Sequence, residues 1–313
     1  MTADTPTILI LGRNGQVARS LEEQLIAHGR TVVKVGRPEV DLCDPSSVSR
    51  VIRVARPAWV INAAGYTAVD RAEDETQAAF AANAIGAQAA ALAASEAGAP
   101  IIHFSTDYVF DGTKAMPYVE TDATSPLGIY GQSKLEGEQL IAKVNQQHVI
   151  LRTAWVFSPF GANFAKTMLR LNRERPTINV VDDQHGNPTY APDLADIVCR
   201  IIARLSESPS DQNNFGIFHA VNNSPTTWCG FAQAIVEGAA QRGAPHATVN
   251  PITTKDYPTK AERPKYSVLS TNKLAKVYGV RLRPWQDALS DALDRLIGRR
   301  NEKPSHRLQQ DFG

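Results

Sequence analysis

Short apolar runs alternate with helix-forming segments through the first half of the chain. Aliphatic and β-branched residues dominate the apolar runs, which predict strands over residues 7–11, 31–35, 59–62, 100–104 and 148–152. The segments between them predict helices over residues 16–28, 45–55, 76–97 and 130–144. Strands that are apolar on both faces and separated by helices are typical of a parallel sheet covered on both sides. We therefore predict an α/β fold with a Rossmann-like, doubly wound parallel sheet.

The second half of the chain has a less regular pattern. Prolines interrupt it repeatedly between Pro188 and Pro284, so its elements are expected to be shorter. We predict that residues 1–152 form the doubly wound domain, that residues 153–300 form mainly a smaller C-terminal α/β lobe, and that residues 301–313 form a flexible tail. Two further strand-like runs, 177–181 and 216–220, fit either unit, so a return of the chain to the first domain between residues 177 and 220 stays open.

The composition excludes several classes of protein. In 313 residues, 33 Lys and Arg balance 32 Asp and Glu, and this net charge of +1 provides no basic surface for nucleic acid. Hydrophobic residues make up 43% and charged residues 21%, which is ordinary for a folded domain and unlike a disordered chain. No apolar run is expected to approach the ~20 residues of a membrane span, and residues 1–6 lack the pattern of a signal peptide. We therefore expect a cytoplasmic protein without nucleic-acid or membrane partners.

The three cysteines, Cys43, Cys199 and Cys229, are widely separated and form no C-x-x-C pair. An odd number of isolated thiols predicts neither a disulfide framework nor a zinc site, and it is usual in a reducing compartment. We expect ordinary buried or half-buried thiols, and no metal ligands.

A glycine-rich turn follows the first predicted strand and precedes the first predicted helix. It reads Gly12-Arg13-Asn14-Gly15-Gln16-Val17-Ala18. Gly12 permits the tight turn, and Gly15 lets the backbone approach a pyrophosphate at the positive end of the helix. The spacing is G-x-x-G-x-x-A rather than the strict G-x-G-x-x-G, but the strand–turn–helix context is that of a dinucleotide site. We therefore predict that this turn binds a dinucleotide cofactor.

The end of the second predicted strand indicates which nicotinamide cofactor is bound. Enzymes that prefer NAD usually carry Asp or Glu there, hydrogen-bonded to the 2′-hydroxyl of the ribose. Here the sequence is Val35-Gly36-Arg37, and the first acidic residue is Glu39. The Arg37 guanidinium would pair with a 2′-phosphate instead, which favours NADPH. Asp41 and Leu42 follow closely and are expected to flank the adenine.

A tyrosine and a lysine share one face of the predicted helix 130–144, because Tyr130 and Lys134 are at positions i and i+4. A nearby ammonium lowers the pKa of a phenol from its usual value of about 10, so this tyrosine would exchange protons near neutral pH. Thr106 follows the apolar run before it, at the sheet edge where open α/β folds bind ligands, and would hydrogen-bond a substrate carbonyl. His103 lies inside that run, and we expect it to be a core residue rather than a ligand.

Together these motifs resemble those of the extended short-chain dehydrogenase/reductase superfamily and, within it, the dTDP-4-dehydrorhamnose reductase family. The matching stretches, in the family's order, are GRNGQV (12–17), NAAGYTAVDRA (62–72), STDYVFDG (105–112), ETDATSP (120–126), YGQSKLEGE (130–138), RTAWV (152–156), NFAKTMLRL (163–171) and DQHGNPT (183–189). The Y-x-x-x-K pair marks only the superfamily, whereas STDYVFDG with DQ-x-G-x-PT is far more specific. A looser match continues through Thr226-Thr227-Trp228 and Arg263-Pro264.

The resemblance implies roles for individual residues. Tyr130 is the expected catalytic acid, Lys134 its partner, and Thr106 the hydroxyl that completes a triad. The residues expected to hold the cofactor are Gly12, Asn14, Gly15, Gln16, Val17, Arg37, Asp41, Leu42, Ala63, Ala64, Gly65, Tyr66, Tyr130 and Lys134. Those expected to surround the substrate are Thr106, Asp107, Tyr108, Val69, Trp155, Asn163 and Arg263, with core packing as the alternative for Trp155, Val69 and Tyr108. Asn83 resembles a helix asparagine that supports such a site.

The resemblance implies NADPH-dependent reduction of the 4-keto group of dTDP-6-deoxy-L-lyxo-4-hexulose to dTDP-L-rhamnose, with NADH accepted as well. The implied partner is thus a small nucleotide sugar. Ser20 stands where some relatives carry a glutamate that helps to bind magnesium between subunits. This departure does not favour a metal-bridged dimer, and the sequence leaves open both a role for Mg²⁺ and the choice between monomer and homodimer.

Two alternative functions stay open. A nucleotide-sugar dehydratase or epimerase would keep NAD bound and regenerate it. Dehydratases, however, carry an Asp–Glu pair after the threonine, where this chain has Asp107-Tyr108. A non-catalytic NADP-binding regulatory subunit, like that of methionine adenosyltransferase, would not need an intact set of Thr106, Tyr130 and Lys134.

Overall fold

Parallel strands build the centre of the fold. The computed structural model describes residues 7–208 and 211–298. Within them the strands are β1 (Thr7–Leu11), β2 (Thr31–Val35), β3 (Trp59–Asn62), β4 (Ile101–Thr106), β5 (His148–Thr153), β6 (Val156–Phe157), β7 (Thr177–Val181), β8 (His185–Gly186), β9 (Thr189–Tyr190), β10 (Gly216–His219), β11 (Thr226–Thr227) and β12 (Thr248–Ile252). The central sheet has the order β10-β5-β4-β3-β1-β2, and each neighbouring pair is parallel. The strand order reverses at β1, because β2 lies on one side of β1 and β3 on the other; this confirms the predicted Rossmann-like topology.

Helices cover both faces of this sheet and fill the second half of the chain. They are α1 (Gln16–Ala27), α2 (Pro45–Ala55), α3 (Val69–Ala72), α4 (Thr76–Phe80), α5 (Gly86–Glu96), α6 (Ile129–Val144), α7 (Phe164–Glu174), α8 (Ala191–Glu207), α9 (Trp228–Ala240), α10 (Asn272–Tyr278) and α11 (Trp285–Ile297). Several of these helices begin at residues that favour a helix N-terminus. At α2, for example, Pro45 occupies the first helical position and the Asp44 carboxylate accepts a hydrogen bond from the Ser46 N–H at 3.0 Å.

Alternate residues of each strand point to opposite faces, and this alternation divides the core in two. Ile8, Ile10 and Ile102 face α1 and α8. Leu9 and Ile101 face α2, α5 and α6. The site described below lies at the carboxyl end of the strands, between these two layers.

A second hydrophobic core lies outside the central sheet. It joins α7, α9 and α11 to the parallel pair β7–β12, with Phe231 and Ile235 among its buried side chains. The predicted strand 177–181 is therefore β7 of this second core. The other ambiguous run is observed as β10 (Gly216–His219), which pairs with β5 in the central sheet. The chain thus returns to the first core through α8, β10 and α10, while the predicted domain boundaries near residue 152 stay a prediction.

Two predicted elements differ from the structure. β4 ends at Thr106 rather than at residue 104, because its ladder with β5 continues through the pairs Ser105–Arg152 and Thr106–Thr153. The predicted helix 76–97 is interrupted between α4 and α5 by a π-helical segment, Ala81–Ile85. Alanine-rich composition predicts helix but not this widening, and Asn83 within the segment bonds the backbone of Tyr66 in a distant loop. The expected tail 301–313 and residues 1–6 lie outside the described residues.

The helical run Thr76–Glu96 also corrects the expectation about apolar length. Its 21 residues and a mean hydropathy of 1.3 would by themselves suffice for a membrane span. However, 56% of its most apolar stretch is buried inside the fold, and the alanines of α5 pack in the core against α2 and α6. The run therefore has the burial of a core helix.

Candidate active site

A cleft of about 570 Å³ opens at the carboxyl end of the central sheet. The predicted site residues that line it are Asn14, Gly15, Gln16, Val17, Ala63, Ala64, Gly65, Val69, Thr106, Asp107, Tyr108, Tyr130, Lys134 and Trp155. The predicted residues that do not line it are Gly12, Arg37, Asp41, Leu42, Tyr66, Asn163 and Arg263. The fold thus brings the tyrosine, the lysine and the threonine to the same cavity as the glycine-rich turn.

The glycine-rich turn leaves the amino end of α1 open to the cleft. Gly12 has a φ of +125°, and a Cβ atom there would lie 3.2 Å from the Ala63 backbone, so a side chain would be strained. Gly15 is the N-cap of α1 and has no side chain to bond the first-turn N–H groups. That turn carries no acidic residue either. These N–H groups are therefore available to an anionic ligand such as a pyrophosphate.

Gln16 connects the glycine-rich turn to the second core. Its Oε1 accepts hydrogen bonds from Ser158 Oγ and Asn163 Nδ2, both at 2.9 Å. The Asn163 side chain is also the N-cap of α7, since its Oδ1 accepts from the Lys166 N–H at 3.1 Å. The Asn163 side chain therefore bonds protein groups and is not among the residues that line the cleft.

The residues expected around the adenine lie beyond the lining of this cleft. Arg37 is exposed at the end of β2. Beside it, Arg13 of the glycine-rich turn pairs with Glu39 at 2.9 Å, which the sequence analysis did not anticipate. Leu42 is buried in the core between the sheet and α2. The Asp41 carboxylate accepts a hydrogen bond from the Cys43 N–H at 2.9 Å.

Asn83 in the π-helical segment holds the loop that follows β3. Its Oδ1 accepts from the Tyr66 N–H at 2.8 Å, and its Nδ2 donates to the Tyr66 carbonyl and to Ser133 Oγ, both at 3.0 Å. A Cβ atom on Gly65 would lie 2.9 Å from Asn83 Oδ1, so the loop requires a glycine at this close approach. The Tyr66 hydroxyl donates to Glu75 at 2.7 Å and is therefore directed away from the cleft. The tertiary contact of Asn83 thus positions Gly65 beside α6.

Tyr130 lies near the amino end of α6, with its ring edge-to-face against Tyr108 at a centroid distance of 5.9 Å. Burial raises the pKa of Tyr130 to about 12. A hydrogen bond with Thr106 opposes this shift, and the charge of Asp107 adds to it. The phenol is thus held protonated at neutral pH, as a proton donor must be.

Lys134 is buried below Tyr130, where its Nζ donates to the Phe104 carbonyl at 2.5 Å and lies 3.1 Å from His103 Nε2. Burial lowers the pKa of Lys134 to about 8, and the charge of Glu138 partly opposes the shift. The expectation that the lysine lowers the pKa of Tyr130 is wrong for these contacts. The amine is turned toward the strand, and burial dominates the pKa of the phenol.

The lining of the cleft also includes a carboxyl group and two stacked indoles. Burial raises the pKa of Asp107 to about 7, although hydrogen bonds from Ser267 and Thr106 oppose the shift. Trp155 stacks on Trp228, with ring centroids 3.6 Å apart and planes inclined by 10°. Trp155 has a φ of +47°, which is unusual for a residue with a side chain. Both indoles line the cleft and are half-buried, so they form an aromatic wall rather than a fully buried core pair.

Arg263 belongs to the boundary of a second cavity. Its guanidinium bonds both oxygens of Asp70 in α3, at 3.1 and 2.8 Å, and also contacts Tyr108. The second cavity has a volume of about 940 Å³ and contacts Arg263 and Trp228. Since Trp228 also lines the first cleft, the two spaces meet at the aromatic wall.

Sequence reasoning missed several residues of the site. Trp228 lies in the matching stretch 226–228 and Arg13 in the glycine-rich turn, but only their placement reveals that Trp228 lines the cleft and that Arg13 pairs with Glu39. His103 is buried as expected, but its contact with Lys134 was not foreseen. The sequence feature that could have indicated this contact is the position of His103 on β4, three residues before Thr106.

The similarity to known proteins extends over most of the chain. The family model described as RmlD substrate binding domain matches residues 6–297. The dTDP-4-dehydrorhamnose reductase of Sinorhizobium fredii is 43% identical over 281 residues, which cover 90% of this chain and 94% of that protein. The protein of the same name from Burkholderia thailandensis is 42% identical over 289 residues, which cover 90% of this chain and 96% of that protein.

Solved structures show the same similarity. A crystal structure of a dTDP-4-dehydrorhamnose reductase from Clostridium acetobutylicum has a TM-score of 0.86 and 37% identity, covering 93% of this chain and 99% of that chain. The dTDP-4-dehydrorhamnose reductase of Bacillus anthracis, crystallised in complex with NADP, has a TM-score of 0.84 and 34% identity, covering 92% of this chain and 98% of that chain. The UDP-glucose 4-epimerase of Thermus thermophilus, at 20% identity and a TM-score of 0.77, shares the fold alone.

Proposed function

Because the chain belongs to the dTDP-4-dehydrorhamnose reductase family, oxidoreductases of the extended short-chain dehydrogenase/reductase type, we propose that it uses NADPH to reduce the 4-keto group of dTDP-6-deoxy-L-lyxo-4-hexulose. The product is dTDP-L-rhamnose. One observation carries the proposal: Tyr130, Lys134 and Thr106 line the same cleft as the open amino end of α1.

The glycine-rich turn fits a dinucleotide. Gly12 and Gly15 have no side chains to cover the backbone, and the first-turn N–H groups of α1 have no side-chain partner. Arg37 is exposed just after β2, where its guanidinium could pair with a 2′-phosphate, and this supports NADPH over NADH. When bound, NADPH supplies the hydride that adds to C4 of the sugar.

Tyr130 is proposed to donate its hydroxyl proton to the oxygen at C4. Its raised pKa keeps the proton in place until a stronger base, the developing alkoxide, is near. Thr106 shares a hydrogen bond with Tyr130 and orients the phenol toward the carbonyl. Lys134 is proposed to bind the ribose hydroxyls, since it lines the cleft together with Tyr130 and its amine can donate hydrogen bonds. Asp107, Tyr108 and the Trp155–Trp228 wall are proposed to hold the sugar.

The test is NADPH oxidation in the presence of the 4-keto sugar, made in situ by the dehydratase and epimerase reactions that precede it chemically. Consumption of NADPH with formation of dTDP-L-rhamnose is expected. An epimerase would show no net consumption, so binding of NADPH without its oxidation would refute the proposed reaction.

The role of Tyr130 is tested with Tyr130→Phe. The variant is expected to bind NADPH but to lose about 10²- to 10⁴-fold in turnover, the usual contribution of a general acid. Tyr278→Phe is the matched control, because that tyrosine is buried against Phe218, away from the cleft. Full turnover in Tyr130→Phe would exclude it as the proton donor.

A further inference from the structure

A buried chain of polar groups runs below the floor of the cleft, from Asn62 through His103 to Lys134. Asn62 and His103 are paired residues of the neighbouring strands β3 and β4. Asn62 Nδ2 lies 3.1 Å from His103 Nδ1, and His103 Nε2 lies 3.1 Å from Lys134 Nζ. All three side chains are at most 5% exposed, so water does not compete for these contacts.

The contacts of Asn62 determine which nitrogen of His103 carries hydrogen. The Ala64 backbone N–H can only donate, and it lies 3.2 Å from Asn62 Oδ1. The amide nitrogen of Asn62 therefore faces His103 and donates to its Nδ1. Burial and the neighbouring Lys134 hold the pKa of His103 well below its usual value, so the imidazole is neutral. A neutral imidazole whose Nδ1 accepts must carry its proton on Nε2.

The Nε2–H of His103 then points at Lys134 Nζ. An ammonium group has three donors and no acceptor, so it would face this N–H without a hydrogen bond. A neutral amine has a lone pair that accepts the proton of Nε2–H. Its own hydrogens can still donate to the Phe104 carbonyl, 2.5 Å away. The hydrogen-bond pattern is therefore complete only with the neutral amine.

The charged groups around Lys134 come from three directions. On its own helix α6, Tyr130 precedes it by one turn and Glu138 follows by one turn. On β5, Arg152 neutralises Glu138 through two hydrogen bonds of 2.9 and 2.6 Å. Beyond Tyr130 lies Asp107, after β4. Burial lowers the pKa of Lys134 to about 8, and the charge of Glu138, which is already paired with Arg152, only partly opposes this shift.

We propose that the Asn62–His103 pair favours the neutral amine of Lys134 and that binding of NADPH protonates this amine with a proton taken from solvent. The inference rests on the proposed function, because it takes NADPH as the ligand. The ribose hydroxyls would offer acceptors to Nζ, and the pyrophosphate at the amino end of α1 would add negative charge to the same cleft; both favour the ammonium. Above about pH 8, the positive charge on Lys134 would thus form together with the cofactor complex.

The experiment measures proton uptake when NADPH binds. Calorimetric titrations at about pH 8.5, in buffers of different ionisation enthalpy, give the number of protons taken up per NADPH. At that pH the phosphates of NADPH no longer titrate. With a lysine pKa of about 8, only about a quarter of the amine is protonated beforehand, so we expect uptake of about three quarters of a proton per NADPH. Binding without uptake would overturn this inference and leave the proposed function intact, whereas failure of NADPH to bind would overturn the proposed function.

A variant isolates the Asn62–His103 pair. In Asn62→Asp, the introduced carboxylate accepts both from the Ala64 N–H and from a proton on His103 Nδ1. Nε2 then becomes an acceptor for the ammonium. We expect NADPH to bind while proton uptake falls close to zero, and undiminished uptake would contradict the proposal.

Asn172→Asp is the matched control. Asn172 is equally buried, accepts from the Ala247 N–H at 2.8 Å and donates to the Pro245 carbonyl at 2.7 Å, in the second core. Its uptake should stay at the wild-type value, because the new carboxylate is remote from Lys134.

A spectroscopic measurement on the unaltered protein keeps the proposal testable if Asn62→Asp does not fold. The ¹⁵N resonances of His103, assigned by their loss in His103→Gln, report its tautomer directly. At about pH 8.5 we expect hydrogen on Nε2 and a bare Nδ1. Hydrogen on Nδ1 would overturn the proposal.

Discussion

Glu138→Gln should destabilise the protein strongly, because it leaves a buried guanidinium without its counter-ion. Glu138 on α6 accepts two hydrogen bonds from Arg152 on β5, at 2.9 and 2.6 Å. Both side chains are at most 3% exposed, so water cannot replace the lost charge. Arg152 Nη1 already lacks a partner within the described residues, and the variant offers it none.

The expected magnitude follows from this burial. Removing one partner of a buried ion pair costs about 3–5 kcal/mol in the free energy of unfolding, because the remaining charge stays desolvated. Since the introduced amide keeps one acceptor for Arg152, we expect a loss near the lower limit, about 3 kcal/mol. Removing both charges in Glu138→Leu/Arg152→Met should cost less than either single change, because no buried charge remains. The contact of Arg152 with the Phe110 ring, 5.1 Å from its centroid, would still be lost.

The assay is urea unfolding at neutral pH of the wild type, Glu138→Gln, the single variants Glu138→Leu and Arg152→Met, and the double variant. Glu174→Gln is the matched control, because it removes one partner of the exposed pair Arg170–Glu174 at 2.7 Å and should hardly change the midpoint. If the double variant loses as much as the sum of the two single variants, the argument from an uncompensated charge is refuted. The two residues would then contribute independently.

Three further predictions concern the cleft, pH and the glycine-rich turn. Gly186→Ala places a Cβ atom 2.6 Å from the Trp155 ring and displaces the indole. Steady-state kinetics should therefore show a raised KM for the sugar with unchanged NADPH affinity. An unchanged KM for the sugar would exclude a role of the aromatic wall in sugar binding. Burial lowers the pKa of His219 to about 3, so its contribution to stability is complete above about pH 6.5 and is lost as the pH falls toward 3. Between neutral pH and about pH 5, urea unfolding should show that the unfolding free energy of the wild type falls by about 2 kcal/mol more than that of His219→Gln. Equal decreases in the two proteins would contradict this. Asn163→Ala should lower the free energy of unfolding by about 1 kcal/mol, because the α7 cap is lost, and should also raise the KM for NADPH. Asn163→Asp still caps α7 but cannot donate to Gln16, so it should raise only the KM for NADPH.

Local sequence patterns were sufficient for the main elements of the fold. The strands β1, β2, β3 and β5 and the helices α1, α2 and α6 begin and end within one or two residues of their predicted positions. Apolar runs, Asp44-Pro45 and Gly12 act over a few residues, so their effect is readable without the rest of the chain. The i, i+4 spacing of Tyr130 and Lys134 is local in the same sense.

Tertiary structure alone decided the environment of those groups. The pKa values of Tyr130 and Lys134 depend on burial beneath strands that are distant in sequence, and the expected lowering of the tyrosine pKa failed for that reason. Contacts such as His103 with Lys134, Asn83 with the Tyr66 loop, and Trp155 with Trp228 join segments that meet only when the helices dock on the sheet. Periodicity determines which face of an element is buried, but the register and packing of distant elements determine which polar groups meet there.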